Sequence, residues 1–539
     1  MRSTPCAEYP LAPSFFPTAP PPMHLVFLNQ YYPPDAAPTG VMLAGVVAGL
    51  LRDGHEVTIL CAAGGYAGKT QDYKTQDARE EADENSNIEN LTEANCPGGP
   101  RHDAQAPVPV PDLPAARIIR IGATRFGRAS SLGKLLDYAS YYLGVGWKLL
   151  TLRPAPERIV ALTTPPYLSV LARLMSKLRG AGHAHWVMDL YPDVMAAHGM
   201  LDERRWPYRL LARLARWGCG GSRCAALLTL GPDMAERLGK TQDNKTQDNK
   251  TQAPRPTGKR QRHTPIQVLW VPLWGTDCAS GSVEEPSTPD ATAPVPTIGD
   301  PRSTTVALAL RRARGWGDED LVVMYSGNMG LGHRFGEILA AAGQGLRIED
   351  RGLRIGSASA AASSIAAPLS LLSDPRSTLS APRVPAVGPQ VRFVFFGGGK
   401  RRDEVASFAR DHPQAGIELY DYAPADQLAA HLQSAEVHLA SLDPAWTGTM
   451  VPSKLQGIFA AGRPVIFIGS AESSIGRWVH ESGGGWVVAA GDVAGVAAAL
   501  AEASDPAQRA MRGRAAKGFA ATHFDQRRNV ARVVAVLTA

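Results

Sequence analysis

The sequence predicts two α/β domains in tandem, each built on a parallel, doubly wound sheet. Three observations carry this. Short continuous apolar runs alternate with helical patterns between residues 23 and 278 and again between 305 and 516, the order in which parallel sheets are laid down. Glycine (53) and proline (43) concentrate in stretches 1–22, 67–112, 240–263, 279–304 and 352–388; the rest of the 539 residues suits two domains of roughly 190 residues each. A hydrophobic content of 44% gives both a core and excludes wholesale disorder.

From Met23 the chain reads strand (HLVFLN), loop, apolar helix (VMLAGVVAGLLRDG) and strand (HEVTILCA), with Gly54 as the helix stop. The same grammar follows in ERIVALTTPP (strand, loop), YLSVLARLMSKLRGAG (helix) and HAHWVMDLYPD (strand, loop). RWPYRLLARLARWGCGGS is a helix, CAALLTLGP a strand, DMAERLGK a short helix and QVLWVPLWGTD a closing strand. The second half repeats it: LVVMYSGN, VRFVFFGGG, IELYDYAP, EVHLASL and RPVIFIG are strands. Between and after them HRFGEILAAAGQGL, KRRDEVASFARDH, DQLAAHLQSA, SKLQGIFAAG and VAGVAAALAEA are helices. The result is two Rossmann-like domains facing a cleft, with 1–22 a disordered extension and 279–304 a flexible linker. Residues 517–539 form a C-terminal helix that packs back on the first domain. KTQDYKTQD (69–77) and KTQDNKTQDNKTQ (240–252) share a pentapeptide period too short to stack as a solenoid and read as solvated, dispensable loop expansions.

Net charge is +6 and the pI near 9.0, spread along the chain, so no nucleic-acid footprint is expected; an anionic substrate or membrane surface fits. Cys6, Cys61, Cys96, Cys219, Cys224 and Cys278 match neither a disulfide framework nor zinc spacing and read as reduced thiols of a cytosolic protein. The first residues lack the basic and apolar regions of a secretory signal. The best candidate span, VMLAGVVAGLL (41–51), is too short to cross a bilayer.

Ligands of open parallel sheets bind beyond the carboxyl ends of the strands. The first such loop, Asn29–Gly40, has neither GxGxxG nor a P-loop pattern, so an ordinary dinucleotide site is not expected. Tyr325–Arg334 carries three glycines for close backbone approach, Ser326 and Asn328 for oxygens, and His333 with Arg334 for positive charge, a combination suited to a diphosphate. Phe396–Arg402 (FGGGKRR) occupies the equivalent place one strand on. In Thr449–Pro464, Ser453 starts a helix and Lys454 sets an ammonium beside it, unfavourable unless an anion docks there.

LNQYYPPDAAPTG, WVMDLYPD, VMYSGNMG, VPSKLQGIFAAGRPVIFIG and GGGWVVAAGD, in that order, resemble family 4 of the nucleotide-sugar glycosyltransferases, of GT-B architecture. The subgroup they resemble is the bacterial exopolysaccharide and O-antigen transferases, among them presumed N-acetylfucosamine transferases. The resemblance implies transfer of a hexosyl unit from a nucleoside diphosphate sugar to a polyprenyl-linked or glycan acceptor. It implies retention of configuration, no cofactor and no essential metal, in the cytoplasm or on the inner face of the plasma membrane. Gly327 and Asn328 fall where that family places a glycine and a phosphate-binding arginine, and His333 where it often has lysine. Gly398 lies in the adjoining glycine loop, and Tyr422 with Pro424 in the segment passing the nucleobase. Ser453 and Lys454 lie at the diphosphate and ribose, and Gly40 in the first-domain loop that closes on the phosphates. One departure stands out: the family's Glu-x7-Glu positions are Thr449 and Gly457 here, which removes a ribose ligand and a carboxylate.

No Asp-x-Asp sits in a strand-end loop to hold a divalent ion. For acid–base chemistry the candidates are Asp189 and Asp193, on the loop after a buried strand, either of which could activate an acceptor hydroxyl. The alternative is that both are turn-forming. His183, His185 and His198 have no acidic partner at fixed spacing and read as structural. The stretch Arg128–Arg153 mixes Tyr138, Tyr141, Tyr142 and Trp147 with Lys134, Lys148 and Arg153, and suits either a membrane interface or the domain core. Two other functions share the architecture: a nucleotide-sugar 2-epimerase, and a non-catalytic sugar-nucleotide-binding partner protein.

Overall fold

The computed structural model describes residues 21–35, 37–63, 115–122, 124, 131–248, 268–274, 301–344, 346–349, 352–355, 390–424 and 427–539. The expectations for 1–20, 67–112, 249–263, 279–300 and 356–388 lie outside these residues.

In the first half the order is β1 (His24–Leu28), α1 (Pro38–Arg52), β2 (Glu56–Ala62), β3 (Arg117–Ile121), α2 (Ser131–Thr151), β4 (Arg158–Ala161), α3 (Leu168–Arg179) and β5 (Gly182–Trp186). It continues with α4 (Asp193–Ala197), α5 (Trp206–Gly218), β6 (Cys224–Thr229), α6 (Pro232–Asp248) and β7 (Val268–Trp270). The strands pair in parallel in the order β3-β2-β1-β4-β5-β6-β7. β1 and β4 are buried throughout, as strands covered on both faces must be. α1 follows the sequence pattern, with proline in its first turn and Arg52 in its last.

The second half runs α7 (Pro301–Ala313), β8 (Leu321–Ser326), α8 (Gly336–Gly343), β9 (Leu346–Glu349), β10 (Gly352–Ile355), β11 (Val391–Phe396), α9 (Arg402–Asp411), β12 (Ile417–Tyr420) and α10 (Leu428–Gln433). After these come β13 (Val437–Ser441), α11 (Lys454–Ala460), β14 (Val465–Ile468), α12 (Ser474–Ser482), β15 (Gly485–Val488), α13 (Val493–Ser504), α14 (Pro506–His523) and α15 (Gln526–Thr538). Its parallel sheet has the order β12-β11-β8-β13-β14-β15. In each sheet the strand order reverses once, between β1 and β4 and between β8 and β13, and these switch points are where crevices open.

Four boundaries differ from the sequence reading. The C-terminal stretch 517–539 is two helices, the end of α14 and α15, separated at Phe524–Asp525, where Asp525 caps α15 by accepting from Arg528 N–H (2.7 Å). The polar tract at 240–248 continues α6 instead of forming a loop, because lysine and glutamine are good helix formers and extending a helix that apolar residues have nucleated needs no new nucleus. Residues 301–304 open α7, with Pro301 at a helix start. Residues 352–355 pair antiparallel with β9 as a small hairpin.

One apolar cluster spans both domains, beside others confined to a single domain. Val530, Val533 and Leu537 of α15 join Val46 and Leu50 of α1, while Trp478 and Phe524 extend the same cluster from the second sheet. Arg158 of β4 donates to the carbonyls of Leu537 and, at 3.0 Å, Ala539, so the chain end is tied to the first sheet. A polar staple reinforces this. The buried carboxylate of Asp233, in the first turn of α6, accepts from the backbone N–H of Met234 (2.8 Å), Gly448 (3.1 Å) and Ser474 (3.0 Å), and from the Ser474 hydroxyl. Asp233→Ala strands those buried donors and should lower stability by on the order of 3 kcal/mol. A urea midpoint unchanged at unchanged slope would refute that staple.

Candidate functional site

At the switch point of the second sheet the chain leaves β8 through Gly327, whose φ is +128°. A Cβ there would stand 2.8 Å from the Cε of Lys454, so only glycine lets the lysine lie across this turn. One strand over, Gly397 (φ +120°) has its missing Cβ directed at the Gly327 carbonyl, which packs the two turns back to back. Met329 N–H donates to Gly398 O (2.7 Å) and Arg401 N–H to Met329 O (3.0 Å), locking the pair. The Tyr422 ring, 61% exposed, covers Gly397 and Gly398. Asn328, Lys400 and Ser453 are exposed around this patch.

Lys454 opens α11 and leans back over β8. Its ammonium donates to Asn328 O (3.4 Å) and His333 Nε2 (3.1 Å) and lies 4.9 Å from the centre of the buried Tyr325 ring. Tyr325 in turn donates its hydroxyl proton to Asn328 O (2.7 Å). Burial lowers the Lys454 pKa to about 7. His333 is not the cation expected from the sequence. It is buried, and burial together with the neighbouring Lys454 pushes its pKa down to about 3. Its Nδ1–H is directed at Ser441 O (2.7 Å), which leaves Nε2 as the acceptor that props the lysine. Arg334 is likewise committed, to Glu337 (2.6 Å) and Asp443 (3.0 Å), so it brings no spare charge to the loop. The cation of this site is Lys454. Gly327, Asn328, His333, Gly398, Tyr422, Ser453 and Lys454 are thus gathered at one switch point. Gly40, in the first domain, is buried in the first turn of α1 against the Tyr31–Tyr32 backbone.

In the first domain Asp189 lies beyond β5, and its loop is bonded to the second domain. Asp189 and Met450 form an isolated bridge, and Leu190 N–H donates to Thr449 O (2.8 Å). Thr163, just past β4, accepts from the N–H groups of Met188 (3.2 Å) and Asp189 (3.3 Å). Asp189 lines a cavity of about 70 Å³ with Thr163, Tyr167, Tyr191 and Tyr208. Burial raises its pKa to about 6. Tyr167 is the one non-glycine residue with positive φ (68°) among those described, and its buried hydroxyl has no partner in the protein. A strained backbone beside an unsatisfied polar atom marks a place shaped for a ligand.

Asp193 does not share this freedom. Arg237 contacts its carboxylate at 2.6 and 2.8 Å and the Tyr208 hydroxyl donates to it at 3.3 Å, so the second candidate base is an ion-pair partner. Arg237 also reaches Thr447 O (3.4 Å) across the cleft. The sequence reading missed Arg237, Tyr167 and Thr163. Thr163 could have been found as a strand-end residue; Arg237, forty-four positions from its partner, carries no local signal.

His183 and His185 are buried and held neutral by that burial, with pKa values lowered to about 4 and about 3. His198 meets Trp446 edge-on at 4.5 Å. Thr449 is buried with its hydroxyl on Trp446 O (2.8 Å), and a Cβ at Gly457 would stand 3.2 Å from Leu432 Cδ1. Cys61, Cys219 and Cys224 are not joined in disulfides. No three His, Cys, Asp or Glu side chains converge as a metal site among the described residues.

Three solved structures share this fold over nearly the whole chain. The Anabaena protein HepE in complex with UDP superposes with a TM-score of 0.52 at 11% identity, covering 96% of this chain and 100% of its own. WaaG, a glycosyltransferase of lipopolysaccharide biosynthesis, does so with 0.53 at 14%, covering 96% and 100%. An α,α-trehalose 6-phosphate synthase from Burkholderia multivorans gives 0.53 at 13%, covering 96% of both. The fold is GT-B. Residues 379–505, about a quarter of the chain, match the family described as glycosyl transferases group 1. That segment of the GT-B fold includes Gly398, Tyr422, Ser453 and Lys454. No curated protein sequence matches the chain.

Proposed function

We propose that the chain is a nucleotide-sugar-dependent glycosyltransferase of hexosyl type. The observation that carries this reading is Lys454, a half-buried cation held by Asn328 O and neutral His333 over two glycine turns, within the segment that matches the glycosyl transferases group 1. Proteins of the same fold are described with UDP, UDP-glucose and UDP-2-fluoro glucose. In this reading the donor diphosphate lies on Lys454 and the backbone of Gly327–Asn328, with Gly398, Tyr422 and Ser453 around the nucleoside. The acceptor, a polyprenyl-linked or glycan hydroxyl, enters the cavity at Asp189.

The chemistry follows. The bond from the sugar's anomeric carbon to the diphosphate oxygen breaks, and the acceptor oxygen bonds to that carbon on the same face the diphosphate leaves, which keeps the configuration. The acceptor proton passes to Asp189, and the negative charge on the leaving diphosphate is neutralised by Lys454. Asp189 and Lys454 are held in register because the loop of the first is bonded to Thr449 and Met450, which lead into the second. We place the product in polysaccharide or O-antigen synthesis, with retained configuration, at the cytoplasmic side of the membrane and without a metal.

A panel of nucleotide sugars tests the reading by thermal shift, since a ligand at a hundred times its Kd adds about 2.7 kcal/mol. The stabilising sugar nucleotide, labelled and incubated with a membrane extract, should pass its sugar to lipid or glycan. Conversion of the free sugar nucleotide alone would indicate an epimerase, and binding without turnover a partner protein. The rate should survive excess EDTA. A rate that collapses and returns with Mg²⁺ would overturn the metal-free reading.

A further inference from the structure

The outer surface of the first domain carries an unpartnered apolar face. α2, α3 and α5 lie side by side, with α2 and α3 covering one side of the sheet through Tyr141, Val145, Leu168 and Ala172. Their outward sides are not polar. On α2, Leu143 (75% exposed) and Trp147 (71%) stand with Leu150 on one stripe. On α3, Leu174 and Leu178 are exposed one turn apart. On α5, Trp206 (74%), Leu210 and Leu214 follow each other at four-residue spacing. Most of the exposed large apolar side chains among the described residues thus sit on three adjacent helices, whereas scattered single exposures are the ordinary pattern.

Charge identifies the occupant. α3 bears Arg173, Lys177 and Arg179, α5 bears Arg209, Arg213 and Arg216, and neither helix has a carboxylate. Arg209 and Arg213 are exposed immediately beside the Trp206–Leu214 stripe. Arg173 and Lys177 lie over the Trp217 ring, at 4.4 and 5.4 Å, so cations and aromatics alternate from one helix to the next. Along the edge of α5 runs a groove of about 430 Å³ lined by Arg209, Arg213, Arg216 and Lys240, whose one carboxylate, Asp193, is taken by Arg237. Apolar side chains ringed by cations, on helices lying flat on a domain, fit the boundary between acyl chains and anionic headgroups. No helix among the described residues is long and apolar enough to cross a membrane.

We infer that the α2–α3–α5 face docks the protein on the surface of an anionic phospholipid bilayer. Leu143, Trp147, Trp206 and Leu210 enter the acyl boundary, and Arg209, Arg213 and Lys177 meet lipid phosphates. The cavity at Asp189 is walled by Tyr208, Ala212 and Arg216 of α5, so docking sets its mouth beside the headgroups. The inference rests on the surface alone and stands whether or not the chain transfers a sugar.

Cosedimentation of the full chain with vesicles tests it, with no sugar donor present. Binding should be strong to phosphatidylcholine vesicles containing phosphatidylglycerol, weak to phosphatidylcholine alone, and reduced by salt. Arg209→Gln/Arg213→Gln should weaken partitioning about 30-fold. Trp147→Ser/Trp206→Ser should weaken it at least about tenfold, with an unchanged melting temperature because both side chains are exposed. Wild-type protein that ignores phosphatidylglycerol, or variants that bind like wild type, would overturn the inference. So would a dimer that the tryptophan variant converts to monomer without any vesicle binding, since the face would then belong to a second copy.

Discussion

Lys454→Ala should weaken nucleotide-sugar binding by about 10- to 150-fold, the loss of one charge-assisted contact of about 1.5–3 kcal/mol. The size follows from the surroundings. Arg334 is bound to Glu337 and Asp443 and His333 is neutral, so neither of them can take over from Lys454. The pH dependence is a sharper test. With Lys454 titrating near 7 in the free protein, a diphosphate that needs the ammonium binds more weakly as pH rises above 7. The loss approaches tenfold per pH unit until the lysine of the complex itself titrates; the alanine variant should show no such slope. Stability moves the other way. The unfolded chain keeps this lysine protonated up to about 10.5 while the folded one releases the proton near 7, so the unfolded state holds more protons in between. The lysine's contribution to stability therefore rises with pH across that window. Calorimetric titration giving equal affinity for both proteins would remove Lys454 from the diphosphate site.

How much of this could be read from sequence depends on whether the signal is local. β1, β8 and β13 are short, buried, largely apolar runs near the centres of their sheets and are legible at once. β3 escaped because it is an edge strand whose Arg117 and Arg120 interrupt the apolar run. β15 escaped because three consecutive glycines, Gly483–Gly485, read as loop although Gly485 begins the strand. The convergence of Gly327, Asn328, Ser453 and Lys454 was legible because strand-end loops of a parallel sheet must meet at the switch point. The charge of His333 was not, since it depends on burial and on Lys454, one hundred and twenty-one positions away. The same distance problem hid the pairing of Asp193 with Arg237, which separates two carboxylates that look alike in WVMDLYPD.

That separation leads to the second large effect. Asp189→Asn should lower turnover by about 10²–10⁴-fold, the ordinary contribution of a general base, with donor affinity unchanged. Asparagine keeps the size and the backbone bonds to Thr163 and Met450 but cannot accept a proton. Burial holds the Asp189 carboxyl near pKa 6, so at saturating donor, where Lys454 stays charged against the diphosphate, the wild-type rate should climb with pH up to about 6 and then level off. The residual rate of the asparagine variant should lack that limb. Asp193→Asn is the internal control. It breaks the contact with Arg237 and loosens α4, yet the acid limb should survive because the base is still present. Steady-state rates measured across about pH 4.5 to 7.5 (about 1.5 units either side of the Asp189 midpoint) decide between the two carboxylates. If the limb vanishes in the Asp193 variant and persists in the Asp189 variant, the base is Asp193, and Arg237 holds it in place for the reaction instead of withdrawing it.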